Sequence, residues 1–77
     1  MATTVVQLTR LPQLISKKAA FLDGVDNEFN YAFSPSVPTD LTVFHTARKL
    51  WTDGTLGGVY AWTTAIPTVR LIVSEVV

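Results

Sequence analysis

Cysteine is absent from the 77 residues, which removes disulfides, thiolate-bound zinc, iron–sulfur clusters and thiol catalysis together. Histidine occurs once, at His45, so one chain cannot build a two-histidine metal site, and neither a metal nor a cofactor is expected. Charge is scarce. Six Lys and Arg against six Asp and Glu give a net charge of zero, and charged residues make up only 16% of the sequence. A neutral chain lacks the long-range attraction and counterion release that drive binding to nucleic acid or anionic membranes, so neither is an expected partner. No apolar run reaches the ~20 residues of a membrane helix. The longest uncharged stretch, residues 54–69, contains four Thr, three Gly and Pro67. The opening segment Met1-Ala-Thr-Thr-Val-Val-Gln-Leu-Thr-Arg10 has no basic stretch followed by an apolar run, so a secretory signal is not expected either.

What is present is apolar and β-branched. Hydrophobic residues make up 48% of the chain and the mean hydropathy is +0.32. Eleven Thr, ten Val and three Ile lose side-chain freedom in helices and pack well on pleated surfaces. The fold class expected is all-β: a small single-domain antiparallel sandwich or barrel over residues 1–77, with one short helix near residues 12–22. Domains of this size rarely obtain more than ~3 to 5 kcal/mol from one core and usually borrow stability from disulfides, metals or partners. With the first two excluded, the surplus apolar surface points to oligomerisation or docking.

Along the chain, Val5, Val6 and Leu8 place a first strand over residues 3–10. In residues 11–22, Leu11, Leu14, Ile15, Ala19 and Leu22 share a helical stripe, Pro12 suits a first helical turn and Gly24 a C-terminal stop, which favours a helix. The absence of a capping residue before Pro12 keeps extended segments open as the alternative. Phe29, Tyr31 and Phe33 alternate with polar or small residues, which puts three rings on one face of a strand. Pro35 and Pro38 then break any ladder and predict a surface loop over residues 34–38. Asp53-Gly54 between two β-rich runs predicts a hairpin joining residues 41–51 to residues 56–66. A helix over residues 39–51 is the rival, disfavoured by Thr42-Val-Phe-His-Thr46. Residues 69–77 read as an aliphatic strand covered on both faces.

Chemistry is weakly signalled. Four Ser, one His and six carboxylates carry no nucleophile signature such as Gly-x-Ser-x-Gly, so no catalytic residues are assigned and no enzyme is expected. Asp23-Gly-Val-Asp-Asn-Glu28 gathers three carboxylates without the order of a calcium loop and reads as a solvated turn. Residues 41–47 superficially resemble an RNA-binding motif of cold-shock domains. That likeness would make Phe44, His45, Lys49 and Trp51 a stacking surface, but the companion Lys-Gly-Phe-Gly-Phe motif is missing. The large aromatics are the most informative residues. Tyr60 and Trp62 fall on one strand face, and the expected hairpin would bring Trp51 into a ladder with them. Trp51, Tyr60, Trp62, Phe29, Tyr31 and Phe33 are therefore the candidate interface residues, since Trp and Tyr dominate binding energy where they are exposed.

In overall style the chain resembles small bacteriophage virion proteins of the capsid-decoration or head-fibre kind. The features that carry the resemblance are the start Met1-Ala-Thr-Thr-Val-Val6, the lack of cysteine, and Thr52-Asp-Gly-Thr-Leu-Gly-Gly-Val-Tyr60 leading to the aliphatic residues 69–77. The resemblance implies a β-rich structural module, often trimeric, that binds copies of itself and a larger capsid or shell protein. Its location would be the virion, after assembly in the host cytoplasm. The alternatives are a small OB-like module that stacks single-stranded nucleic acid or glycan, and a protein inhibitor presenting residues 34–38.

Overall fold

The computed structural model describes residues 2–25, 27–64 and 69–76. Among the described residues eight strands follow one another: β1 Ala2–Leu8, β2 Gln13–Ser16, β3 Ala20–Gly24, β4 Phe29–Phe33, β5 His45–Ala47, β6 Lys49–Thr52, β7 Val59–Trp62 and β8 Val69–Glu75. They form two four-stranded antiparallel sheets of order β1-β8-β3-β6 and β2-β7-β4-β5. The all-β expectation therefore holds as a sandwich, with no closed barrel.

The topology has a simple origin. The pairs β1·β8, β2·β7, β3·β6 and β4·β5 are those of one long hairpin whose tip is the 34–44 loop. Rolling that ribbon adds β3·β8 and β4·β7 and yields the eight-stranded jelly-roll arrangement. Apart from β4 and β5, which the tip joins within one sheet, successive strands consequently cross between sheets. At Arg48 the chain leaves β5 in one sheet and enters β6 in the other, the kind of corner by which strands change layers. Gly24 N–H donates to the Arg48 carbonyl (2.7 Å) and Arg48 Nη2 to the Val25 carbonyl (3.3 Å), which ties that corner to the parallel crossing after β3.

Alternation in the strands supplies the core. From the β1-β8-β3-β6 sheet, Leu8, Val69, Leu71, Val73, Ala20 and Leu22 point inward. Phe29, Val59 and Ala61 meet them from the other sheet, with Tyr31, Phe33 and Ala47 of that sheet and Leu50 of β6 at the margin. A hydrogen bond from Ser16 Oγ to the Glu75 carboxylate (2.6 Å) joins the layers at one side.

Three expectations are corrected. No helix forms over residues 12–22. That segment is β2, a turn and β3, and the supposed helical stripe is broken by Leu11, which is 74% exposed. Without a cap, the stripe had nothing to nucleate it, whereas the alternation of Ala20, Leu22 and Gly24 inward with Phe21 and Asp23 outward fits the sheet. The Asp53-Gly54 turn is not a hairpin. β6 pairs with β3 and β7 with β2 and β4, so the turn is a crossover between layers. The helical rival for residues 39–51 is absent as well. The strand covered on both faces is β7, whose four residues are all buried, and not β8, which buries Val69, Leu71 and Val73 while turning Arg70 outward. Nor is β8 an edge, because β1 and β3 flank it.

Candidate functional site

The two sheets treat their outer faces differently. On β7, Val59 and Ala61 face the main core, so Tyr60 and Trp62 face outward; both are nonetheless buried, Trp62 completely. Part of the cover comes from the segment entering β5. Phe44 meets Trp62 edge-to-face with ring centroids 5.8 Å apart, a favoured aromatic geometry. Beside this contact a cleft of about 430 Å³ opens, lined by Ala32, Phe33, Ser34, residues 38–40, Val43, Phe44 and His45. The long hairpin tip thus folds back over the sheet it connects. Trp62 Nε1 and Thr63 Oγ1 are buried without a hydrogen-bond partner among the described residues.

The cleft holds Ser34, Asp40 and His45, but they are not joined as a triad. Ser34 Oγ accepts the Ser36 N–H (3.4 Å). Asp40 Oδ1 accepts both the Thr42 N–H (3.0 Å) and the Thr42 hydroxyl, bonds that hold its carboxyl below the usual carboxylate range. The His45 ring lies against Tyr31, centroids 5.5 Å apart, on the exposed edge strand β5. Ser16, bonded to Glu75, sits on β2 at the opposite edge of that sheet, roughly 14 Å away at ordinary strand spacing. Among the described residues no group of three His, Asp or Glu side chains is placed to hold a metal ion. Of the acidic turn, Asp26 lies outside the described residues, and Asp23 stands opposite Lys49 on the outer face of the other sheet.

That second outer face is bare. Register places Phe21 directly opposite Trp51, with Ser74 and Thr3 completing the row across β3, β8 and β1. The next row is Val5, Ile72, Asp23 and Lys49. Trp51 is 56% exposed, Phe21 40% and Val5 62%. Apolar side chains thus fill half of two adjoining rows on this solvated face, Phe21 and Trp51 on β3 and β6 in one and Val5 and Ile72 on β1 and β8 in the next, with Thr3, Ser74, Asp23 and Lys49 filling the rest.

The candidate interface residues are thereby divided. Trp51 is on this exposed face. Tyr60 and Trp62 share a face as expected, but on the other sheet, so no ladder links them to Trp51. Phe29, Tyr31 and Phe33 do line one strand face, with neighbouring centroids 6.0 and 5.9 Å apart; it is the inner face, and Phe29 belongs to the core. The stacking surface considered for nucleic acid is also split, with Phe44 against Trp62 and Lys49 beside Trp51 on the other layer, and two four-stranded sheets are not the five-stranded OB barrel. Phe21, Val5 and Ile72 are not among the interface candidates drawn from the sequence, where Val5 served only to place the first strand. The alternation in Ala20-Phe-Leu-Asp-Gly24 carries the signal for Phe21, hidden when that segment is read as helix.

No protein-family model matches the sequence. No curated protein and no solved structure matches it either.

Proposed function

We propose that this chain is a non-enzymatic structural subunit of a protein assembly, of the capsid-decoration or related virion type, which binds copies of itself and a larger shell protein. The observation that carries the reading is the exposed aromatic pair Trp51 and Phe21, with Val5 exposed on the same sheet face. Exposed aromatics in a polar frame are the usual anchors of protein interfaces. Jelly rolls occur in viral capsid domains, a fold-level analogy that agrees with the setting and assigns no residues. Zero net charge suits a role in which contact area rather than electrostatic steering supplies affinity.

The test uses particles purified on a density gradient from cells that express the gene in its native context. The expected result is the chain at a fixed stoichiometry in the particle fraction, with Trp51→Lys lost from it while remaining folded. A wild-type chain found only in the soluble fraction overturns the reading.

A further inference from the structure

Four strands lie at sheet edges: β1 and β6 in one sheet, β2 and β5 in the other. Edge strands expose unpaired amides and are normally protected by shortness, bulges or charge. β5 has three residues, β2 is bulged between Leu14 and Ser16 and continues into Lys17-Lys18, and β6 carries Lys49. β1 has none of these devices. Its seven residues, Ala-Thr-Thr-Val-Val-Gln-Leu, are uncharged, lack proline and pair with β8 in unbroken register.

Hydrogen-bond parity tells which β1 amides are free. Val76 N–H donates to the Ala19 carbonyl and Val25 N–H to the Arg70 carbonyl, so Arg70, Ile72 and Ser74 direct their backbone groups toward β3. By alternation Val69, Leu71 and Val73 bond to Leu8, Val6 and Thr4 of β1. Thr3, Val5 and Gln7 therefore point to the open edge. The Gln7 carbonyl is occupied by Gln13 Nε2 (3.2 Å), which independently supports this parity. Among the described residues the N–H and C=O of Thr3 and of Val5 remain as four adjacent groups without a partner, followed by the Gln7 N–H.

We infer that β1 pairs antiparallel with β1 of a second copy about a two-fold axis centred on Thr4. In that register each Thr3 lies opposite the Val5 of the other copy, and the four free groups on each strand make four backbone hydrogen bonds without disturbing the Gln7–Gln13 contact. Such a contact is isologous and closes as a dimer. Even residues meet even residues, so the inner faces stay inner, and the sheet continues as β6-β3-β8-β1 into the same four strands in reverse. No charged side chain is brought against its like on β1. Both Trp51 patches come to lie on one face of the eight-stranded sheet, giving a bivalent surface for a shell. This inference rests on the assembly reading and names its first partner as the chain itself.

Sedimentation equilibrium over a concentration series tests it with V5P. Proline at residue 5 removes an N–H that points to the open edge and leaves the bonds to β8 intact. The wild type is expected to be a dimer and V5P, folded by circular dichroism, a monomer or a dimer weakened at least about tenfold, since two of four bonds are lost. V5K, which keeps the N–H and charges the edge, should also dissociate, and it serves if V5P does not fold. Amide exchange at Thr3 and Val5 should be slow in the concentrated wild type and fast on dilution. A monomeric wild type, or V5P or V5K dimers as tight as wild type, overturns the edge pairing. Particle retention through Trp51 is measured separately, so the two readings fail independently.

Discussion

Truncating Phe44 tests whether the hairpin tip is part of the folded core or an ornament on it. Phe44 is 40% exposed, so about three-fifths of a ring side chain is withdrawn from water. With aromatics burying ~150–250 Å² each and roughly 25 cal/mol per Å², that withdrawal contributes about 2 to 4 kcal/mol as an upper bound. Edge-to-face contact with Trp62 is worth a further ~0.5–1.5 kcal/mol, partly counted already in the area. Partial collapse of the loop onto the gap should recover some of this, and Phe44→Ala is expected to cost about 2 to 3 kcal/mol. Because domains of this size rarely draw more than ~3–5 kcal/mol from one core, such a loss is conspicuous in urea unfolding. Trp62 also reports the event optically. In a Trp51→Phe background it is the remaining tryptophan, buried at 0% exposure, and its emission should be blue. Removing Phe44 should wet the indole and shift the emission red before any global unfolding. A cost under about 0.5 kcal/mol with unchanged emission would refute the argument that this loop covers the second face.

The exposed face gives the opposite pattern: Trp51→Ala should change stability by only about 0.2–1 kcal/mol, the value of a cross-strand pair with Phe21, in thermal melts, while removing particle retention. Gly54 and Gly57 both have positive φ, +87° and +85°, and Ala at either position should cost about 1–2 kcal/mol for the left-handed backbone. At Gly54 the new Cβ would also lie 3.0 Å from Ala19 N and 3.1 Å from Lys18 C, whereas at Gly57 it meets nothing within 4 Å; Gly54→Ala should therefore have the lower urea midpoint of the two. Asp53, like Asp40, is held below the usual carboxylate range, first by the Thr55 hydroxyl and then by the Thr55 N–H. A depressed folded-state value means the stabilisation is complete above the ordinary carboxylate range and is lost as pH falls through the folded value. Asp53→Asn should flatten this acid-side slope in melts between pH 5 and pH 2, values that bracket the ordinary carboxylate near 3.8.

Local alternation made much of the fold legible. The strands near residues 2–8, 29–33 and 69–75, and the loop enforced by Pro35 and Pro38, follow from side-chain period and from missing amide donors. Sheet membership was not legible, because in a rolled ribbon it is decided by pairs distant in sequence, such as Ala2 with Glu75. Asp53-Gly54 shows the consequence. A turn residue with positive φ reverses the chain locally in any context, and whether the flanking strands then pair or separate into two layers depends on β2, β3 and β4, none of which adjoin the turn. The ladder of Trp51, Tyr60 and Trp62 rested on that hairpin and parted with it.

The apolar surplus read from composition is disposed of asymmetrically, and the asymmetry connects fold to function. On the β2-β7-β4-β5 sheet the chain supplies a cover from itself: the tip that joins β4 to β5 is long enough to return, and Phe44 meets Trp62 there. Among the described residues the β1-β8-β3-β6 sheet has no comparable loop on its outer side, and each of its strands is followed or preceded in the chain by a strand of the other layer. Phe21 and Trp51 are consequently left opposite each other in solvent. A sheet with one uncovered aromatic face and one unprotected, uncharged edge has two ways to grow, by covering and by extension, and they do not compete: edge pairing through Thr3 and Val5 leaves the face clear, and seating the face on a shell leaves the edge free. On the assembly reading proposed above, a subunit with both would add contact area to a shell and cross-link neighbouring positions of it at once.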